Sequence, residues 1–151
     1  MDLDKILAVT FSGVRPEDEN AVLALVAGCG LHAGDLSSEK LRHFLVARKG
    51  DAVIGAVGLE VFSPHALLRS LAVAEDFRGL GIARRLIGAI ERHARNVGVN
   101  SIYLLTLTAA GLFDKCGYRQ ANRASAPEDL QATEEFRTVC PDSATCLHKA
   151  I

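Results

Sequence analysis

The sequence predicts an α/β or α+β domain around a mixed sheet. Three observations carry this. The chain of 151 residues is 49% hydrophobic, enough for one compact domain over 1–151 with a real core. Its first half is dominated by short apolar runs bounded by turn residues. Its second half interleaves helical periodicity with further apolar runs.

Leu7 to Gly13 reads as a first strand. Pro16-Glu17-Asp18 places proline and acids in a first helical turn, and Ala21, Val22, Leu25 and Val26 continue it as a helical stripe. Gly28-Cys29-Gly30 stops that helix, and Ser37-Ser38-Glu39-Lys40 starts a short second one. Phe44 to Arg48 and Ala52 to Phe62 read as strands joined by the hairpin turn Lys49-Gly50-Asp51. Ser63-Pro64-His65 turns again, and Leu67 to Val73 is a buried-type strand. From Gly81 to Val97 the apolar residues Ile82, Leu86, Ile87, Ile90, Ala94 and Val97 make one stripe, with Arg84, Arg85, Glu91, Arg92 and Arg95 mostly off it. Gly98 ends this helix. Ser101 to Thr108 is an apolar strand, and Ala109 to Cys116 a short helix stopped by Gly117. Tyr118 to Asn122 reads as a strand, Glu128 to Val139 as a helix, and Thr145 to Lys149 as a last strand.

A net charge of -1 gives no electrostatic argument for nucleic acid or an anionic membrane. No apolar run is long enough to span a bilayer. The start, MDLDKILAVTFSG, lacks a basic region and a cleavage site, so the expected location is cytoplasmic. The four cysteines, Cys29, Cys116, Cys140 and Cys146, form no CxxC pair and are too sparse for a disulfide scaffold. No metal is expected.

The stretch RGLGIARRL, Arg78 to Leu86, is the most informative. Glycines are poor helix starters, and arginines in a first turn oppose the helix dipole. An anion at the helix start resolves both features. Small residues let the backbone approach it, free N–H groups point at it, and Arg78, Arg84 and Arg85 supply countercharge. No GxxxxGK[ST] loop is present, and the third small residue of a GxGxxG/A dinucleotide loop is displaced by Arg84. Ordinary turn glycines at a helix start remain the alternative on these residues alone.

The wider string LRSLAVAEDFRGLGIARRLIGAIERHAR resembles motif A of the GNAT superfamily of N-acetyltransferases. The motif, (Arg/Gln)-x-x-Gly-x-(Gly/Ala), is matched by Arg78, Gly81 and Ala83 after a strand of the form L-x-V. AAGLFDKCGYRQ is similar to motif B, and the likeness extends over about residues 14–118. It implies a mixed, mostly antiparallel central sheet of six to seven strands, splayed at a bulge and flanked by four to five helices. It implies an acetyl-CoA-dependent N-acetyltransferase acting on the primary amine of a small molecule. Gly79, Gly81, Ile82 and Ala83, with Arg78 and Arg84, would hold the pyrophosphate. The backbone of Leu71, Ala72 and Val73 would pair with the pantetheine arm, and the Val73 N–H would face the thioester carbonyl. That donor is catalytic in kind, because charge develops on this oxygen only as the amine attacks. A homodimer is the family's habit.

Amine attack needs a base, and the departing thiolate is helped by an acid. The tyrosine common in motif B is replaced here by Phe113, which leaves no assigned acid; Phe113 itself stays with the cofactor-binding positions. Tyr118 matches a packing aromatic, and Tyr103 is the other tyrosine. Glu60 is the candidate base, against the alternative of a solvent-facing strand end. His65 is a turn histidine that titrates in the right range. Arg69, a lone charge in ALLRSLAV, either binds an anionic substrate group in the acceptor cleft or reaches solvent along its stem. Thr106 and Thr108 are candidate carboxylate ligands or plain strand residues.

The C-terminal segment adds Thr133, Glu134, Phe136, Cys140 and Cys146. LLRSLAV, YLLT-x-T, TxEF and CP-x-S-A-x-C together resemble the GNAT branch associated with bacterial arsenic-resistance operons. The implied acceptor is an amino-acid-like toxin. Cys140 and Cys146 are either buried structural cysteines or a thiol pair for a soft ion such as arsenite. The alternative to an enzyme is a CoA-binding sensor of a metabolite or arsenite that has lost its tyrosine.

Overall fold

The computed structural model describes residues 8–151. Seven strands form one mixed sheet in the order β1-β2-β3-β4-β5-β7-β6. The strands are β1 (Val9–Gly13), β2 (Phe44–Lys49), β3 (Ala52–Phe62), β4 (His65–Val73), β5 (Ser101–Thr106), β6 (Arg119–Gln120) and β7 (Thr145–Ala150). The α-helices are α1 (Glu19–Gly28), α2 (Ile82–Asn96), α3 (Ala110–Lys115) and α4 (Glu128–Gln131). β1 with β2, β2 with β3, β5 with β7 and β6 with β7 pair antiparallel, whereas β4 with β5 is parallel. This is the mixed, mostly antiparallel sheet expected. No helix among the described residues is long and apolar enough to cross a membrane.

The chain divides into two compact units, and β3 and β4 each pass from one to the other. The first unit runs to Gly58 and resumes over Ser70–Ile90. Val22 and Val26 of α1 pack with Leu41, Phe44, Val46, Ala56 and Ala72 in its core. Phe44 stands opposite Gly58, where an added Cβ would lie 2.1 Å from the ring; only glycine fits against that aromatic. Ile82, Leu86, Ile87 and Ile90 of α2 are buried, each worth about 2 kcal/mol of transfer free energy. Asp18 and Arg48 form a buried ion pair that also holds Ser12 Oγ at 2.7 Å and the Gly13 carbonyl at 2.8 Å through the guanidinium.

The second unit comprises Leu59–Arg69 and Glu91–Ile151. Its core joins Leu67, Leu105, Ala126, Leu130, Phe136, Ala144 and Cys146. The parallel register of β4 with β5 covers three pairs, from His65↔Ser101 to Leu67↔Tyr103. Glu91, read from sequence as off the apolar stripe, is buried because Lys149 Nζ binds its two oxygens at 3.0 and 3.1 Å.

Several boundaries differ from the sequence reading. Leu7 lies outside the described residues, and β1 starts at Val9. The first helical turn is a 3-10 turn over Pro16–Asp18, and the expected second helix is only a 3-10 turn over Lys40–His43. β4 begins at His65, so this histidine belongs to the strand. β5 stops at Thr106 because that side chain accepts the Ala109 N–H at 3.0 Å and turns the chain. The strand expected over Tyr118 to Asn122 is reduced to Arg119–Gln120. The helix expected over Glu128 to Val139 breaks into α4 and a π turn, Glu135–Val139. Thr133 is the cause: its buried hydroxyl donates to the Leu130 carbonyl at 2.6 Å and accepts the Phe136 N–H at 3.4 Å.

Candidate functional site

In the first unit, β4 ends at Val73, a 3-10 turn spans Glu75–Phe77, and Arg78 to Gly81 lead into α2. Gly79 and Gly81 have φ of 78° and 81°, a region that side chains with a Cβ rarely adopt. An added Cβ at either would meet nothing within 4 Å, so both face open space. The first helical hydrogen bond of α2 runs from the Arg85 N–H to the Gly81 carbonyl at 3.1 Å. The N–H groups of Ile82, Ala83 and Arg84 therefore precede the helical ladder and carry the positive end of its dipole. The Ile82 side chain is buried and anchors this end, Ala83 is half-buried, and Arg84 is exposed.

The other arginines of the loop have partners of their own. Arg78 Nε donates to the Val73 carbonyl at 3.0 Å, and its Nη2 lies 3.6 Å from Cys29 Sγ. The Cys29 thiol also points at the Val73 carbonyl, at 3.8 Å. Arg78 thus ties the loop to the end of β4, a role the sequence did not suggest. Arg85 lies over the Phe11 ring at 4.4 Å. Leu71 is half-buried, while Ala72 and Val73 are buried. Immediately before them Ser70 has φ 61°, alone among the described non-glycine residues in being positive, which marks a kink in β4.

In the second unit the structure brings Glu60 and Arg69 together. The Arg69 side chain is 0% exposed, and its Nη1 donates to Glu60 Oε2 at 2.9 Å. Its Nε faces Glu135 Oε1 at 3.7 Å. Arg69 therefore does not reach solvent. Glu60, at 15% exposure, is the more accessible member of that pair. Glu135 was not singled out in the sequence; its one signal is an acid within TEEF between Leu130 and Phe136, which are both buried. Cys140 Sγ points at Glu135 Oε2 at 3.9 Å. Burial, and then the Glu135 charge, push the Cys140 thiol up to about 11, and burial also raises Cys146. Both shifts disfavour the thiolates that arsenite ligation needs.

Thr106 spends its acceptor on the Ala109 N–H, and Thr108 lies exposed beyond β5. Phe113 is buried edge-on against Tyr118, with ring centroids 5.2 Å apart. Tyr118 is 0% exposed; burial and the Glu91 charge push its phenol up, so it is a core residue and no proton donor. Tyr103 is half-buried between His65, at 6.4 Å, and His148, at 4.5 Å.

The model of the Acetyltransferase (GNAT) family matches residues 3–118. An uncharacterized N-acetyltransferase of Chlorobaculum tepidum is 34% identical over 109 residues, covering 72% of this chain and 68% of that protein. An IAA acetyltransferase of Azospirillum brasilense is 28% identical over 119 residues, covering 66% and 78%. N-acetylglutamate synthase from Neisseria gonorrhoeae, solved with coenzyme A and N-acetyl-glutamate, superposes with TM-score 0.81 at 20% identity. That match covers 94% of this chain and 35% of the synthase, so this chain spans about a third of the synthase's length. A Mycobacterium tuberculosis protein solved in complex with CoA superposes with TM-score 0.77 at 18% identity, over 94% of this chain and 99% of that one. At these identities the solved structures speak to fold alone.

Proposed function

Because the chain belongs to the GNAT acetyltransferase family, we propose that it transfers the acetyl group of acetyl-CoA to the primary amine of a small, amino-acid-like molecule. The observation that carries this is the start of α2, where two glycines of positive φ clear space before three N–H groups that precede the helical ladder. A pyrophosphate is the anion of that shape and charge which the family uses. The N-acetylglutamate synthase of the same fold holds coenzyme A and an N-acetylated amino acid, which supports an amino-acid acceptor here.

The reaction is direct attack in a ternary complex. Glu60 takes one proton from the ammonium and frees its lone pair; the nitrogen then bonds to the thioester carbon, the C–S bond breaks, and the second nitrogen proton passes through water to the departing CoA thiolate. The pantetheine arm lies along Leu71, Ala72 and Val73, and the Val73 N–H donates to the oxygen on which charge develops. Thr106 ends β5 and Thr108 lies exposed just beyond it, where hydroxyls can bind an acceptor carboxylate. The arsenic-resistance branch supplies the finer acceptor: an amino-acid-like toxin, acetylated in the cytoplasm by a homodimer.

One observation favours the sensor reading instead. Phe113 is packed in the core and Tyr118 is fully buried, so neither offers a hydroxyl to the leaving thiolate. Thiol release from acetyl-CoA across a panel of amines and amino acids separates the two. Turnover with an amino acid, with intersecting initial-velocity lines, is the expected result. Tight CoA binding without turnover on any amine would establish the sensor and end the enzyme reading.

A further inference from the structure

The sequence offered Arg69 as a residue that touches substrate; the geometry gives it different neighbours. Its side chain is wholly buried, and two carboxylates meet two different edges of its planar guanidinium, Glu60 at Nη1 and Glu135 at Nε. Held on both, its plane is fixed, and so is the direction in which Nη1 presents itself to Glu60. Glu135 is itself secured. Arg123 donates to the carbonyls of Phe136 at 2.7 Å, Cys140 at 3.0 Å and Pro141 at 2.7 Å, and stacks over the Phe136 ring at 5.6 Å. Arg123 thereby holds the chain that directly follows Glu135.

We propose that Glu135 is a positioning residue for the acetyl transfer: through Arg69 it aims the Glu60 carboxylate. The inference rests on the reading of Glu60 as the base. The physical reason is charge balance. Arg69 is shared between two carboxylates, so removing the Glu135 charge strengthens its hold on Glu60. Arg123 and the Cys140 thiol also stand against the segment that carries Glu135.

The test is the pH profile of kcat/KM for the amine, with three variants of the full chain. Glu135→Gln removes the charge that competes for Arg69. The acidic limb of the profile should then move to lower pH by about one unit, and kcat should fall several-fold, with the KM for acetyl-CoA unchanged. Glu135→Asp keeps the charge and should leave the limb where it is in the wild type. Glu135→Met suits a buried position and gives the same shift as the glutamine variant, so it serves if that variant fails to fold. Glu60→Gln is the control on the premise and should abolish the limb. If it does, and the Glu135→Gln and Glu135→Met profiles still superimpose on wild type, the positioning role is refuted and Glu60 stands. If Glu60→Gln itself keeps the wild-type profile, the base assignment falls and the inference falls with it.

Discussion

The start of α2 and the cluster on Arg69 handle charge in opposite ways. The loop from Arg78 to Gly81 is exposed or half-buried, and what it offers an anion is backbone: glycines at positive φ and N–H groups ahead of a helical ladder. The Arg69 cluster is buried, and what it offers is side chains locked against one another within 4 Å. The first is open to solvent, anchored through Ile82 and tied to the end of β4 by Arg78. In the second, one buried cation meets both carboxylates, so a change at Arg69 is felt by each. The two regions should therefore respond to mutation by different routes.

The largest effect expected is on the closed cluster. Arg69→Met removes the buried cation that Glu60 and Glu135 share, which should cost about 3–5 kcal/mol of stability. Urea denaturation measures this, and a loss below about 1 kcal/mol would mean the carboxylates find water or protons at little cost. The open loop should respond differently. Gly81→Glu places a side chain and a negative charge at an exposed position of φ 81°, so stability should drop by only about 1 kcal/mol. CoA affinity by calorimetry should nevertheless fall at least ~100-fold, about 2.7 kcal/mol. Unchanged affinity would remove the loop as the pyrophosphate site.

Acid titration sharpens the contrast between the two units with the smallest effects. In the second unit, burial and then the charge of His65 hold His148 below its ordinary 6.5. Folding therefore favours its neutral form; that contribution is complete above pH 6.5 and is lost as pH falls through the lowered value. In the first unit, burial pushes the Asp18 carboxyl up, but the Arg15 N–H and the Arg48 and Arg15 guanidinium groups outweigh it and bring it below 3.8. Its contribution is present above pH 3.8 and is lost only as pH falls further. Denaturation midpoints measured against pH should show both losses. His148→Gln should remove the one below pH 6.5, and Asp18→Asn the one below pH 3.8. A His148→Gln curve that keeps the earlier loss would show that another group causes it.

Much of the loop was legible in RGLGIARRL, because backbone demands are local. A positive φ calls for glycine wherever it falls, and the stripe Ile82, Leu86, Ile87, Ile90 and Ala94 states which helix face is buried. The second region was only half legible. Glu60 and Arg69 stood out as charges in apolar strands, but nothing near them named Glu135, which comes from a segment far along the chain. The continuous helix expected over Glu128 to Val139 failed for a related reason: Thr133 is acceptable in a helix, and only the packed structure turns its hydroxyl onto the Leu130 carbonyl. Arg84 and Arg85 stood out as unusual in a first turn and Arg78 as a countercharge before it, while the partners of Arg78 and Arg85, the Val73 carbonyl and the Phe11 ring, come from other elements.

The sequence by itself determined the strands, the long amphipathic helix and the glycine-opened turn before it, because periodicity and φ preferences act over a few residues. The tertiary structure decided which charges are shared. Arg69 is buried between Glu60 and Glu135, Glu91 goes under Lys149, and Phe113 and Tyr118 close into the core. Ion pairing in a buried site depends on distances of about 3–4 Å between groups remote in the chain, and no local pattern encodes those distances.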